Sequence, residues 1–300
     1  MLDHARSQGD VGLSRSDIDS YLVDLSDRCD RSPIRDIVVE LLANGGGRHR
    51  AQLAYLNCRC VGHDHASALA AAGCVEALHQ ASLVHDDLSD RSATRRGRPS
   101  VWAEHGDAVA LAAGDHLISL AYMCIAEATD VEPRRSLGLV HRAVSSTIRG
   151  QCADLALASG GQTFRDTGII ADWSRVAVLK TGPLLALGPE LAAASGGAAK
   201  DVTALREACL RLAIGYQILD DLRDRDEDRA VGGTMSNLCL RLEASGLTSA
   251  EAAETVLLHA ERELHRAAHD AAGIPGAMGA PVARLCRARL RDMEALLHAV

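Results

Sequence analysis

The sequence predicts an all-α protein, a single-domain helical bundle with a central cavity. Three observations carry that prediction. Apolar positions recur with a helical period along most of the chain, and no strand-like alternation persists. Alanine and leucine are abundant while Tyr, Trp and Phe number only 4, 2 and 1, a composition that favours helix. Two acidic clusters of the same spacing lie in helical stretches far apart in the chain. Bundles build metal sites from side chains on facing helices in this way.

The elements follow in order. Residues 1–15 are polar and are expected to form a flexible N-terminus, with residues 16–300 as one all-helical domain. The helical pattern begins at Ser16 with Ile18, Leu22 and Leu25, and continues through Ile34, Ile37, Val38 and Leu41. Asn44-Gly45-Gly46-Gly47 ends it. Further helices are predicted at about 51–61, 64–88, 101–127 and 133–157. After a loop at about 159–166, others follow near 168–195, 199–225, 247–271 and 279–298. Loops at Gly97-Arg98-Pro99 and Glu132-Pro133 separate some of them.

Composition bounds the function. A net charge of −8 argues against nucleic acid as a general partner. The first 20 residues are polar, without a secretory signal. The apolar stretch 108–128 is broken by Asp115 and His116, so no transmembrane segment is expected. Nine scattered cysteines suit a reducing compartment, and Cys58-Arg59-Cys60 lacks the spacing and second pair of a zinc site. A soluble cytoplasmic protein is the expectation. Lys180 and Lys200 are the only lysines, against 30 arginines among the 32 basic residues.

The chemistry is written in the acidic clusters. Asp86, Asp87 and Asp90 form one D-D-x-x-D, and Asp220, Asp221 and Asp224 the other. Residues i and i+4 of a helix share a face, so each cluster projects two carboxylates in one direction. Facing each other, they would make an oxygen-rich cage suited to Mg2+, which is held by a few carboxylates, waters and substrate phosphates. Arg95 and Arg96 follow the first cluster, and arginine forks suit phosphate oxygens. Metal and cation together would grip a diphosphate. A salt-bridged solvated face explains one such cluster but poorly explains two.

These residues carry a family resemblance. The text His79-x-x-SLVHDD-x-x-D, RRGRPSVW, Gly106 and AAGD at 112–115 resembles a trans-isoprenyl diphosphate synthase of the polyprenyl synthetase family. GQ-x-x-DL at 150–155, Lys180-Thr181-Gly182 and GYQILDD-x-x-D at 215–224 continue the match, which spans roughly residues 45–235 in family order. The resemblance implies the isoprenoid synthase type of helical bundle and about three Mg2+ ions per site. It assigns Asp86 and Asp90, with Asp87 beside them, to two ions. It assigns Asp220, with Asp221 and Asp224 in support, to a third. Lys180, Thr181, Arg95 and Gln217 would attend the diphosphate of an allylic substrate. Arg50, His79 and Arg96 match positions that hold isopentenyl diphosphate. The implied reaction is condensation of the two to a longer trans-prenyl diphosphate, by a homodimer.

Two departures bear on the second substrate. The family's GGK-x-x-R reads Gly45-Gly46-Gly47-Arg48-His49-Arg50, with Gly47 in the lysine's place and Arg48 as a partial substitute. After the second cluster, Gly233 stands where a lysine is usual. A class I terpene cyclase or irregular coupling enzyme on the same fold is therefore an alternative. Few aromatics are available for the cation–π stabilisation cyclases use, which favours elongation. A non-catalytic partner subunit of a heteromeric synthase is a third reading, opposed by the intact acidic clusters.

Leu78, Ala81 and Ser82 lie one to two turns before Asp86 and are expected to line the tunnel for the growing product. Ala81 and Ser82 are small, which predicts a geranylgeranyl-like product of about twenty carbons or more. Tyr122 or Met123 could supply the floor. His85 reads as a neighbour of the metal site or a solvent-facing residue, Asp115 as a cap or bridge, and Asp154 as either part of the diphosphate network or a structural salt bridge. Arg284, Arg287, Arg289 and Arg291 read as a solvated helix face.

Overall fold

The computed structural model describes residues 13–29, 33–130, 132–158, 168–194, 199–230, 236–275 and 277–297. Most of the expected N-terminal tail, the loop at 159–166 and Gly233 lie outside these residues. The described residues form fourteen helices and one two-stranded ladder.

The chain enters through α1 (Arg15–Cys29) and α2 (Pro33–Ala43), which bury Ile18, Leu22, Leu25, Val38 and Leu42. Helix α3 (His49–Cys60) leads to α4 (His65–Asp90) at the centre of the bundle. Asp64 caps α4, its carboxylate accepting from the Ser67 amide at 2.7 Å. Ala68, Ala71, Ala72, Ala77 and Ala81 make α4 slender. Neighbouring helices therefore pack on it from several sides: α1, α3, α6 (Asp107–Glu127) and α9 (Gly182–Ala194).

Three boundaries differ from the sequence expectation. The stretch 101–127 is broken at Gly106, whose φ of 87° separates α5 (Val101–His105) from α6. The stretch 168–195 is broken between α8 (Ile169–Lys180) and α9, which meet at 45°. Lys180 thereby ends a helix rather than sitting within one. The loop around Gly97 is a small antiparallel ladder of β1 (Thr94–Arg95) with β2 (Arg98–Pro99), pairing Arg95 with Arg98.

The second half comprises α7 (Pro133–Ala158), α10 (Ala199–Arg223), α11 (Arg225–Ala230), α12 (Leu238–Ala244), α13 (Ser249–Ala272) and α14 (Gly279–Leu297). Helix α10 packs against α8, α9, α13 and α14 and carries the second acidic cluster at its C-terminal end. By length and composition α6 is apolar enough to cross a membrane, despite Asp115 and His116. Here its face bearing Ala110, Ala113, Leu117, Leu120 and Cys124 is buried against the bundle.

Candidate active site

The acidic clusters lie at the C-terminal ends of α4 and α10, and a lysine ties the first of them to α7. Lys180 Nζ lies 2.7 Å from the Asp154 carboxylate and 3.4 Å from that of Asp86. A close backbone approach of α7 to α8 makes this possible. A Cβ on Gly150 would sit 2.4 Å from the Lys180 amide nitrogen, so only glycine fits there. Asp154, one turn further along α7, is then beside the Lys180 ammonium. Burial works against the charge on Lys180, but Asp86, Asp154 and Asp90 outweigh it and hold its pKa above the ordinary value.

The four outer aspartates behave alike. Burial pushes up the pKa of Asp86, Asp90, Asp220 and Asp224, and nearby cations only partly offset it. Arg95 feels Asp86, Asp87 and Asp224 together, which sets it between the two clusters.

The inner aspartates, Asp87 and Asp221, have protein partners of their own. Asp87 is buried and receives the Arg95 guanidinium, with Nε at 2.9 and 2.7 Å from its two oxygens and Nη2 at 2.6 Å. Asp221 is buried and accepts from the Leu238 amide at 2.8 Å and from Gln217 Nε2 at 3.2 Å. Each lies about 100° around its helix from the first member of the i, i+4 pair and about 60° from the second. Thr181 Oγ1 donates to Gln217 Oε1 at 3.1 Å, so Thr181, Gln217 and Asp221 form one chain.

A second region is basic. Arg50 Nη1 donates to His79 Nε2 at 3.3 Å, and the Arg50 guanidinium lies 4.9 Å from the centre of the Tyr216 ring. Arg96, at a left-handed φ of 54°, donates from Nη1 to the Gly45 carbonyl at 2.5 Å. Burial, then Arg50, Arg96 and Arg95, hold the His79 pKa well below its usual value.

Two sequence readings are corrected here. Arg48 does not stand in for a lysine at position 47. It is buried, with Nε on Asp19 at 2.8 Å, Nη1 on Glu76 at 3.0 Å and Nη2 on the Leu42 carbonyl at 2.8 Å. Arg289 is not on the solvated face. Its side chain is 11% exposed, its guanidinium lies 5.1 Å from the Tyr216 ring centre, and Nη2 is 3.5 Å from His49 Nε2. Arg284, Arg287 and Arg291 are exposed as expected.

Leu78, Ala81 and Ser82 line a small cavity of about 60 Å³ with His85, Ile118, Val144, Thr147, Ile148 and Leu184. Tyr122 and Met123 do not line it, and Met123 is exposed on α6.

The donor set fits Mg2+: hard carboxylate oxygens on two helices, with pKa values raised by burial that the nearby cations only partly offset. Among the described residues, the one trio of His, Cys, Asp or Glu whose ligand atoms lie within 4.8 Å of one another is Glu40, Glu104 and His105, all exposed. Among the described residues, no three of the cluster aspartates meet that spacing.

A helical bundle with an aspartate cluster at the C-terminal end of each of two helices and a basic region beside them defines an isoprenoid synthase fold. Residues 31–236 match the polyprenyl synthetase family model, and the chain belongs to that family. It is 37% identical over 183 residues to a (2E,6E)-farnesyl diphosphate synthase of Mycobacterium tuberculosis, covering 60% of this chain and 49% of that protein. It is 36% identical over 206 residues to geranylgeranyl pyrophosphate synthase 7 of Arabidopsis thaliana, covering 65% and 58%. The matched stretches thus span less than two thirds of these relatives' length. Among solved structures, the fold is similar to a geranylgeranyl pyrophosphate synthetase from the archaeon Geoglobus acetivorans. That comparison has a TM-score of 0.76 at 20% identity, over 91% of this chain and 98% of that one. It is also similar to a polyprenyl synthetase from Streptomyces coelicolor A3(2), with a TM-score of 0.75 at 23% identity over 92% and 97%.

Proposed function

We propose that this chain is a Mg2+-dependent trans-prenyltransferase. It ionises an allylic prenyl diphosphate and joins it to isopentenyl diphosphate. The observation that carries this reading is the division of the site. An acid half with Lys180 bridging Asp86 and Asp154 lies beside a basic half of Arg50, His79 and Arg96.

The residues divide the work. Lys180 and Arg95 bind the allylic diphosphate, and their fixed charges stabilise the negative charge that develops as the carbon–oxygen bond breaks. When bound, Mg2+ would supply further neutralisation of that leaving group. Arg50, His79 and Arg96 orient the second diphosphate so that its double bond meets the allylic carbon. The new carbon–carbon bond forms there, and the proton lost from the adjacent carbon passes to the released diphosphate. Leu78, Ala81, Ile118 and Leu184 give the chain an apolar, water-poor path.

Ala81 and Ser82 support a product of about twenty carbons or more, since neither side chain blocks the face of α4. Exposed Leu111 and Met123 on α6, with Leu137, Ile148 and Leu155 on α7, support a homodimer through these neighbouring helices. Buried thiols at Cys58, Cys74, Cys209 and Cys286 support a reducing, cytoplasmic setting.

The test is turnover by purified protein with Mg2+, isopentenyl diphosphate and dimethylallyl, geranyl or farnesyl diphosphate, read by mass. Longer diphosphates are the expected result. Hydrocarbons or alcohols from the allylic substrate alone would replace this reading with a cyclase. Turnover only on adding another synthase would replace it with a partner subunit.

A further inference from the structure

Resting on that reading, we infer that Arg289 of α14, with His49, completes the diphosphate-binding wall of the basic half. Arg289 supplies the positive charge that position 47 lacks, and His49 stands beside it with a ring nitrogen 3.5 Å from Arg289 Nη2. The ligand class is the diphosphate monoester of the second substrate.

Three observations converge. The first concerns space. A Cβ on Gly47 would lie 2.4 Å from His49 Nε2, so the imidazole occupies the room through which a side chain at 47 would leave the backbone. Glycine at 47 and the inward His49 are one arrangement.

The second concerns reach. Helix α14 packs on both α3 and α10, and Arg289 touches residues of each: His49 Nε2 at 3.5 Å and the Tyr216 ring at 5.1 Å from its centre. Arg50 lies against the same ring at 4.9 Å and donates to His79. Tyr216 thus joins the two guanidinium groups, one from α3 and one from α14, beside Asp220.

The third concerns balance. The Nε atoms of Arg50 and Arg289 are both buried without a hydrogen-bond partner. Asp292 forms an ion pair with Arg289 Nη2 at 3.1 Å but is shared with Arg223 at 3.7 Å. Burial, then Arg289 and Arg50, lower the His49 pKa, so both guanidinium groups act on this imidazole, and Asp220 is the other carboxylate they act on. Buried donors and gathered cations are stabilised by a multiply charged anion, and a diphosphate offers oxygens to several of them at once.

The experiment compares wild type with Arg289→Gln, Arg289→Lys and, as a surface control, Arg91→Gln. Binding of isopentenyl diphosphate is measured by calorimetry in EDTA, with inorganic diphosphate as a second probe, alongside steady-state kinetics and melting temperature. Arg289→Gln should weaken metal-free binding of both probes by about tenfold or more, as loss of one charge-assisted contact does. It should raise KM for isopentenyl diphosphate alike and leave KM for the allylic substrate within about twofold. Arg289→Lys should retain part of the affinity. As a rescue, Gly47→Lys in a His49→Ala, Arg289→Gln background should restore the KM, which a purely structural role would not permit. Unchanged binding in a folded Arg289→Gln protein, or equal effects on both substrates, overturns the assignment. Absence of wild-type condensation would sink the prenyltransferase reading instead, while the calorimetry still decides whether Arg289 holds a diphosphate.

Discussion

Arg95 holds Asp87 from Nε and Nη2 together, at 2.6 to 2.9 Å. The second aspartate of the first cluster therefore sets an arginine rather than extending into the site. Asp87→Asn should free Arg95 and raise KM for the allylic diphosphate about tenfold, the scale of one charge-assisted contact, while ionisation persists. Asp86→Ala should abolish turnover. Equal losses in the two variants would contradict this division, and single-turnover kinetics would reveal them.

Lys180 is the cation paired with Asp86, and Gly150 fixes its place. Lys180→Ala should lower kcat by about a hundredfold or more, since a preorganised charge aimed at the leaving group is lost. Gly150→Ala should act through position, moving α8 away from α7. Its expected signature is a lower kcat with Asp154 and Lys180 both present, together with a lower melting temperature.

Ala81 borders the small cavity behind the first cluster. Ala81→Phe fills the face of α4 that leads away from Asp86. Products should shorten by at least one five-carbon unit, read by mass analysis. Unchanged length would relocate the tunnel.

His63 is buried, and burial lowers its pKa against the opposing pull of Asp130 and Asp64. The unfolded chain therefore takes up this proton first. Above a pH of about 6.5, histidine's ordinary value, the group has no effect on stability. As pH falls through that value the fold loses stability, by up to about 1.4 kcal/mol per pH unit. His49, His79 and His259 share this direction, while the raised carboxylates oppose it. Comparing wild type with His63→Gln isolates the contribution. Denaturation midpoints between pH 7.5 and 5.5 should fall less steeply in the variant.

Much of the fold and site was legible in the sequence because it rests on helix periodicity. The i, i+4 spacing separates Asp86 and Asp90, or Asp220 and Asp224, from the inner aspartates without any structure. The partners of Asp87 and Asp221 were not legible, since Arg95 reaches back from a ladder and Leu238 from another helix. Nor was the burial of Arg48, which depends on Asp19 and Glu76 on two other helices. Arg289 left a trace. Val282, Cys286 and Met293 are buried, and Arg289 falls on their face at helical spacing, whereas Arg284, Arg287 and Arg291 do not. A run of arginines conceals such phase differences unless each is set against its apolar neighbours.

Helix α4 carries both the residues beside the small cavity and the aspartates that, in the proposed reaction, address the diphosphate. One rigid rod is thus ruler and trigger at once. Inserting a single residue between Ser82 and Asp86 would turn one end against the other by about 100°. In the proposed reaction, exchange of side chains would retune the length scale, but a change in residue count along that segment would disconnect measuring from firing.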